Sequence, residues 1–383
     1  MDVLSEDTVR LPFLRFFITS RTDFNIGYAF ESQRHILVRE LNVASPSNND
    51  DIMTFFKDRM SSIRARRKRL PLASDWPGED AIRSLTARAA GLFLFAATAT
   101  ALIDTHDPES TLQNILRDGI SSDAQSALDS LYIKALESVG KWDDVYFPTA
   151  FRAIVGTIVV AKNPLSPDTI DKLLSLDRMP SLYTIEHLGC VLLHSDAFEP
   201  VRIVHPSFID FLTDLQRCKS EKWFINPIVH NRQFSLHCLD YLDRVMRRNI
   251  CNLILSPAIT NEMIADGVTL GPEISYACTF WIEHICAISD RLSECSNRLE
   301  PFMQRHFLHW LEAMSILQKS RATIGLLEAL LKWIHVRVIS FFYTHVDHLV
   351  RILLGAIAGC LSWLVTPIGL QRHLFTPSKY IRC

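Results

Sequence analysis

Two side chains in this 383-residue sequence stand where they could touch an anion. His205 lies between a β-branched run, Val201 to Val204, and an apolar-periodic segment that opens at Pro206. Proline suits a first helical turn, and Phe208, Phe211, Leu212 and Leu215 follow on one face of the expected helix. The histidine is therefore expected at a strand-to-helix junction, where unpaired backbone N–H groups and the helix dipole favour negative charge. An imidazole there can meet a phosphate, although a histidine before a helix is more often a satisfied structural residue. The second side chain is Arg21. It ends the run Arg15-Phe16-Phe17-Ile18-Thr19-Ser20-Arg21, which reads as a buried strand delivering Thr19, Ser20 and Arg21 to the rim of a sheet. Open α/β sheets hold their ligands at that rim.

The parts that perform phosphoryl chemistry are not in the sequence. A P-loop needs Gly-x-x-x-x-Gly-Lys-Ser/Thr, so that backbone amides and the lysine hold the phosphates while the hydroxyl meets magnesium. The one Gly-Lys pair, Gly140-Lys141, is followed by Trp142 and has no glycine five positions before it. Asp143-Asp144 sits between a helix and Phe147 and reads as a cap or loop, not as the acidic end of a strand. No Gly-x-Ser-x-Gly, catalytic Cys/His pair or His-Glu-x-x-His offers another reaction. Nine cysteines without a Cys-x-x-Cys fit a reducing compartment. Cys278, His284 and Cys286 come nearest to a metal set, with spacing that matches no common one, so no metal is expected.

The elements that must position these residues read as mainly helical. A second strand is expected over His35 to Val43, and Ser45 to Asp50 reads as a turn and cap before a helix from about Asp51 that carries Ile52, Phe55, Phe56 and Met60 on one face. That helix ends in Arg64-Ala65-Arg66-Arg67-Lys68-Arg69, a basic run suited to a helix C-terminus and also able to mimic a nuclear-localisation signal. One further helix is expected from Asp75-Trp76-Pro77-Gly78 through Ile82, Leu85, Ala89 and the small-residue run up to Ala97, and another over Ala124 to Ser138. Phe147 to Val160 is apolar and β-branched. Ser166 caps a helix begun by Pro167, with Ile170, Leu173 and Leu174 inward. A helix over Leu182 to Leu193, a turn over Asp196 to Glu199, a strand and the helix after His205 complete a winged-helix pattern. From Trp223 to about Trp333 apolar residues recur at helical spacing, in segments over Phe234 to Arg248, Ile274 to Ile288, Glu300 to Leu317 and Ile324 to Ile334.

The pattern His205-x-Ser207-Phe208-x-x-Phe211-Leu212 resembles the end of the winged-helix domain of NACHT-type STAND NTPases, the signalling ATPases of the NOD-like receptor family. Arg15 to Arg21 resembles that family's sensor-1 strand. Trp76-Pro77-Gly78 with Ala89 to Ala99, and the segments around Arg247 to Leu253, Tyr276 to Trp281 and Phe307 to Ser315, resemble the helical regions of its fungal members. The resemblance covers about Phe13 to Trp333. With it the chain divides into a sheet remnant over residues 1–47, a helical domain over 48–140, a winged helix over 141–217 and a helical domain over 218–335; beyond the resemblance, composition marks an apolar tail over 336–383. The resemblance also implies that Arg21 reaches toward a γ-phosphate and that His205 touches the β-phosphate of ADP. Both roles require a nucleotide site completed by upstream residues. The intact family uses ATP and ADP with Mg; no cofactor is expected for this chain.

Composition sets the remaining bounds. A net charge of −2 and a pI near 6.7 give no global basic field, and Asp168 to Lys172 and Glu186-His187 lack the clustered cations that phosphate contacts of a DNA-reading winged helix require. Nucleic acid is therefore not an expected partner; protein partners or self-association are. Ile352 to Leu370 carries no charge, lies between Arg351 and Arg372, and just reaches spanning length. It either closes the last layer of a helical array, which gives a cytoplasmic protein, or associates with a membrane. The functional expectation is a fragment or shortened paralogue of a nucleotide-dependent oligomerisation switch, not itself an enzyme. The alternative is a non-enzymatic helical interaction module, membrane-associated through its tail.

Overall fold

The computed structural model describes residues 45–105, 107–117, 119–120, 123–140, 142–176, 180–220, 222–252, 269–289 and 292–338, with residues 17–19, 28, 37–39 and 355. Of the two strands expected near the amino end, only Phe17 to Thr19 and Leu37 to Arg39 are described; they are exposed and pair with no strand among the described residues. Arg21 lies outside the described residues, as does the span Ile352 to Leu370 apart from Gly355. The described protein is mainly α, as its periodicity implies, with one two-stranded sheet. No described helix is long and apolar enough to cross a membrane.

The first helices form a compact unit. Helix α1 (Pro46–Arg66) starts five residues before the expected point, because Ser45 caps it by accepting from the Asn48 amide and Pro46 occupies its first turn. It buries Ile52, Phe56, Met60 and Ile63, one face of a 3.6-residue period, against α2 (Glu79–Ala89) and α3 (Phe93–Thr105). The single helix expected across residues 79–97 is broken in two: Ala90 (φ 47°) and Gly91 (φ 80°) adopt left-handed backbone, and Asn48 Nδ2 donates to the Gly91 carbonyl at 2.7 Å. Helix α4 (Pro108–Arg117) packs on α3, and α5 (Ala124–Ser138) packs on α2 and α3 with Leu128, Leu131 and Leu136 buried as expected. The basic run is partly clamped to this unit, since Arg66 and Arg67 both bind Asp104 at the end of α3.

Helices α6 (Phe147–Val160), α7 (Pro167–Leu174) and α8 (Ser181–His187) pack together and lead into the antiparallel pair β1 (Leu192–Leu193) and β2 (Arg202–Ile203). The backbone N–H of Val201 donates to the Leu165 carbonyl at 2.9 Å, which ties the hairpin to the segment before α7. The β-branched stretch Phe147 to Val160 is helical, since its Phe147, Phe151, Ile154, Val155 and Val160 line a buried stripe. The helix expected over Leu182 to Leu193 stops at His187, where the chain turns into β1. Short helices α9 (Ser207–Leu212) and α10 (Leu215–Cys218) follow. Leu215 does not join the buried face of α9, because Asp214 caps a new helix and leaves Leu215 43% exposed.

The remaining described helices are α11 (Pro227–Val245), α12 (Pro272–Cys286), α13 (Leu292–Ile316) and α14 (Ser320–Val338). Each starts or ends a few residues from its expected bounds. Helix α11 is central: it packs on α12 and α13 and also on α6 and α7, so it joins the hairpin-bearing unit to the array. Trp281 and Trp310 meet edge to face at 5.8 Å in the array core, and the Trp310 indole N–H donates to the Cys278 carbonyl at 2.9 Å.

Candidate functional site

His205 follows β2 and precedes Pro206 and α9, the junction its neighbours dictate. Its ring is turned back on the chain. Nδ1 lies 2.7 Å from Ser207 Oγ, and the Ser207 backbone N–H donates to the same nitrogen at 3.2 Å. The Phe208 N–H donates to the His205 carbonyl at 3.1 Å. Two of the amides that would otherwise face an anion at the start of α9 are therefore engaged by His205 itself. The chemistry available at this point is that of the imidazole, not of a helix N-terminus.

Helix α5 holds the junction from the other side. The Tyr132 hydroxyl is 2.8 Å from Ser207 Oγ, and its ring meets Phe208 at 5.1 Å and Phe211 at 5.3 Å. Burial pushes the Tyr132 phenol up to about 12, so it stays protonated and able to donate. One turn earlier on the same face, Asp129 accepts a two-pronged ion pair from Arg217, at 3.0 Å from Nε and 2.7 Å from Nη2. Tyr132 and Asp129 thus fasten α9 and α10 to the first helical unit. Spacing gives no clue to either contact, because 75 residues separate Tyr132 from Ser207 and 88 separate Asp129 from Arg217.

Of the two residues expected to meet a nucleotide, only His205 is among the described residues. Arg21, the other expected ligand residue, lies outside them, so its distance from His205 is undefined. A cleft of about 440 Å³ lies between α1 and α2 and is lined by Asn49, Met53, Arg83, Thr86, Ala87, Ala90 and Gly91, without His205. Gly140 is explained by packing: a Cβ there would stand 2.5 Å from Phe147 Cζ, so the position needs glycine for the ring and not for a phosphate. Asp144 accepts from the Tyr146 and Phe147 amides at 2.7 and 3.2 Å and so closes the loop that leads into α6, in keeping with the expected cap or loop.

One polar cluster escaped the sequence reading. His284 is fully buried between α11 and α12, with Nδ1 2.8 Å from Asn231 Oδ1 and Nε2 3.0 Å from the Tyr276 hydroxyl. Asn231 Nδ2 donates to the Pro227 carbonyl at 2.8 Å, and the Lys162 backbone N–H donates to the Tyr276 oxygen at 3.0 Å. These fixed donors assign the rest: Tyr276 O–H donates to Nε2, and Nδ1–H donates to Asn231. Every atom of the chain is satisfied with the imidazole neutral, and burial, helped by the nearby Lys162 charge, drives its pKa down to about 3. His284 is thus held as a structural residue, and Cys278, His284 and Cys286 form no group of three metal ligands among the described residues.

The chain is 27% identical over 226 residues to the vegetative incompatibility protein HET-E-1 of Podospora anserina, a stretch covering 50% of this chain and 15% of that protein. No family profile and no solved structure matches. This chain therefore aligns with a minor part of a much longer relative, and the similarity supports a relationship to NACHT-type STAND proteins at the level of the family.

Proposed function

We propose that this chain is part of the core of a STAND-type switch, whose intact protein couples ADP and ATP binding to oligomerisation in self/non-self or stress signalling. Its own residues perform no hydrolysis. In this reading His205 gives one hydrogen bond to the β-phosphate of ADP and helps hold the closed state, while Tyr132 and Asp129 on α5 keep the junction beneath it docked. The observation that carries the reading is the similarity, over half this chain, to a vegetative incompatibility protein. The His205 geometry adds support, because with Nδ1 engaged by Ser207 it is Nε2 that would meet a phosphate. Mapping the 5′ end of the transcript tests the proposal. An in-frame P-loop upstream of Met1 is the expected result; a start at Met1 with no such exon would leave the non-enzymatic interaction module as the better account.

A further inference from the structure

We propose that Ser207 and Tyr132 are positioning residues for His205: they fix its neutral ring as the tautomer protonated on Nε2, and docking of α5 on α9 is what orients the hydroxyl that does so. A backbone N–H can only donate, so Nδ1, which receives the Ser207 amide at 3.2 Å, carries no proton in the neutral ring. Ser207 Oγ, at 2.7 Å, then points its hydrogen at the same nitrogen, and its lone pairs turn to Tyr132, whose hydroxyl donates to it at 2.8 Å. Tyr132 is itself immobilised, being 1% exposed and wedged against Phe208 and Phe211. The order of donation is therefore Tyr132 to Ser207 to His205, and it leaves Nε2–H as the ring's donor. That is the form a phosphate oxygen requires, since such an oxygen accepts hydrogen bonds and repels an unprotonated ring nitrogen. The amide contact, at 3.2 Å, is the longer of the two and by itself holds the tautomer only weakly. If α5 separates from α9, the serine hydroxyl can turn to accept from Nδ1–H, and the ring exchanges tautomers. Contact with an anion and docking of α5 are thereby linked, each favouring the other.

The inference rests on the proposed phosphate contact for its purpose but not for its test. The full chain is labelled with ¹⁵N-histidine, and long-range ¹H–¹⁵N spectra are recorded at neutral pH without nucleotide, with His205→Gln identifying the resonance. The expected pattern for His205 is a pyridine-type shift at Nδ1 and a pyrrole-type shift at Nε2. Ser207→Thr should preserve it, whereas Ser207→Ala and Tyr132→Phe should move both nitrogens toward the averaged shifts of exchanging tautomers. A wild-type ring protonated on Nδ1 would overturn the assignment, and so would a pattern unmoved in both Ser207→Ala and Tyr132→Phe. Either failure leaves the nucleotide reading to be judged on its own experiment.

Discussion

Acid should loosen the junction between α6, α11 and α12, and His284 supplies a separable part of the effect. In the folded chain its ring is neutral because Nε2 accepts from Tyr276 and Nδ1–H is held by Asn231, with no room for a second ring proton. Its pKa of about 3 when folded lies below the ordinary imidazole value of 6.5 expected once the chain unfolds. The unfolded state therefore binds the extra proton between these values, so the stabilisation is complete above pH 6.5 and is lost progressively as the pH falls toward 3. From about pH 7.5 to pH 5 the loss from this one group comes to about 2 kcal/mol. Burial also lowers the pKa values of His230, His237 and His306, so their contributions carry the same sign. Urea unfolding followed by tryptophan fluorescence at the two pH values measures the total. His284→Gln isolates the part in question, because its amide keeps a donor for Asn231 and an acceptor for Tyr276 but does not titrate in this range. The variant should lose about 2 kcal/mol less than wild type between the two pH values. Equal losses in both proteins would refute the reasoning.

Other consequences are equally measurable. A Cβ on Gly156 would collide with the His230 ring, so Gly156→Ala must displace that ring or push α6 off α11 and should cost about 3 kcal/mol in chemical denaturation; wild-type stability would show that the two helices do not approach so closely. Asp129→Asn should cost about 2–3 kcal/mol, since the pair it breaks is mostly buried, with side-chain exposures of 19% and 13%. Arg298→Ala, which removes an exposed partner of Asp240, should cost under about 1 kcal/mol, and the reverse ranking in denaturant would contradict the burial argument. The purified chain should release no phosphate from ATP or GTP, because an arginine cannot replace P-loop amides, lysine and a magnesium ligand. Steady release abolished by Arg21→Ala would overturn that expectation.

Local signals carried the reading of the sequence as far as single helices and no further. Ser166 and Pro167 announce α7 correctly, and the leucine spacing of α5 is unambiguous, because each cue lies within a few residues of its effect. The start of α1 was legible in Ser45-Pro46 but is obscured by the Ser/Asn cluster after it, which suits turns as well as first helical turns. The break after Ala89 is marked only by Gly91, since alanine rarely takes the left-handed conformation that Ala90 adopts. At the candidate site, His205 and its place before a helix could be read directly. Its orientation could not, because that depends on Tyr132 from a distant helix. The His284 chain was hidden for the same reason: its parts come from residues 162, 227, 231, 276 and 284, which only tertiary packing unites.

The central claim is that His205 contacts the β-phosphate of a nucleotide that holds a STAND-type core closed. It is tested most directly in the full-length parent protein by measuring, after purification and extraction, the molar ratio of bound ADP in wild type and in His205→Leu, together with the oligomer distribution by light scattering. Leucine keeps the bulk of the ring and removes its donor, so the account predicts a marked fall in bound ADP and a shift from monomer to oligomer. Unchanged ADP occupancy and an unchanged monomer fraction would contradict it and leave His205 as a residue that only closes the turn before α9.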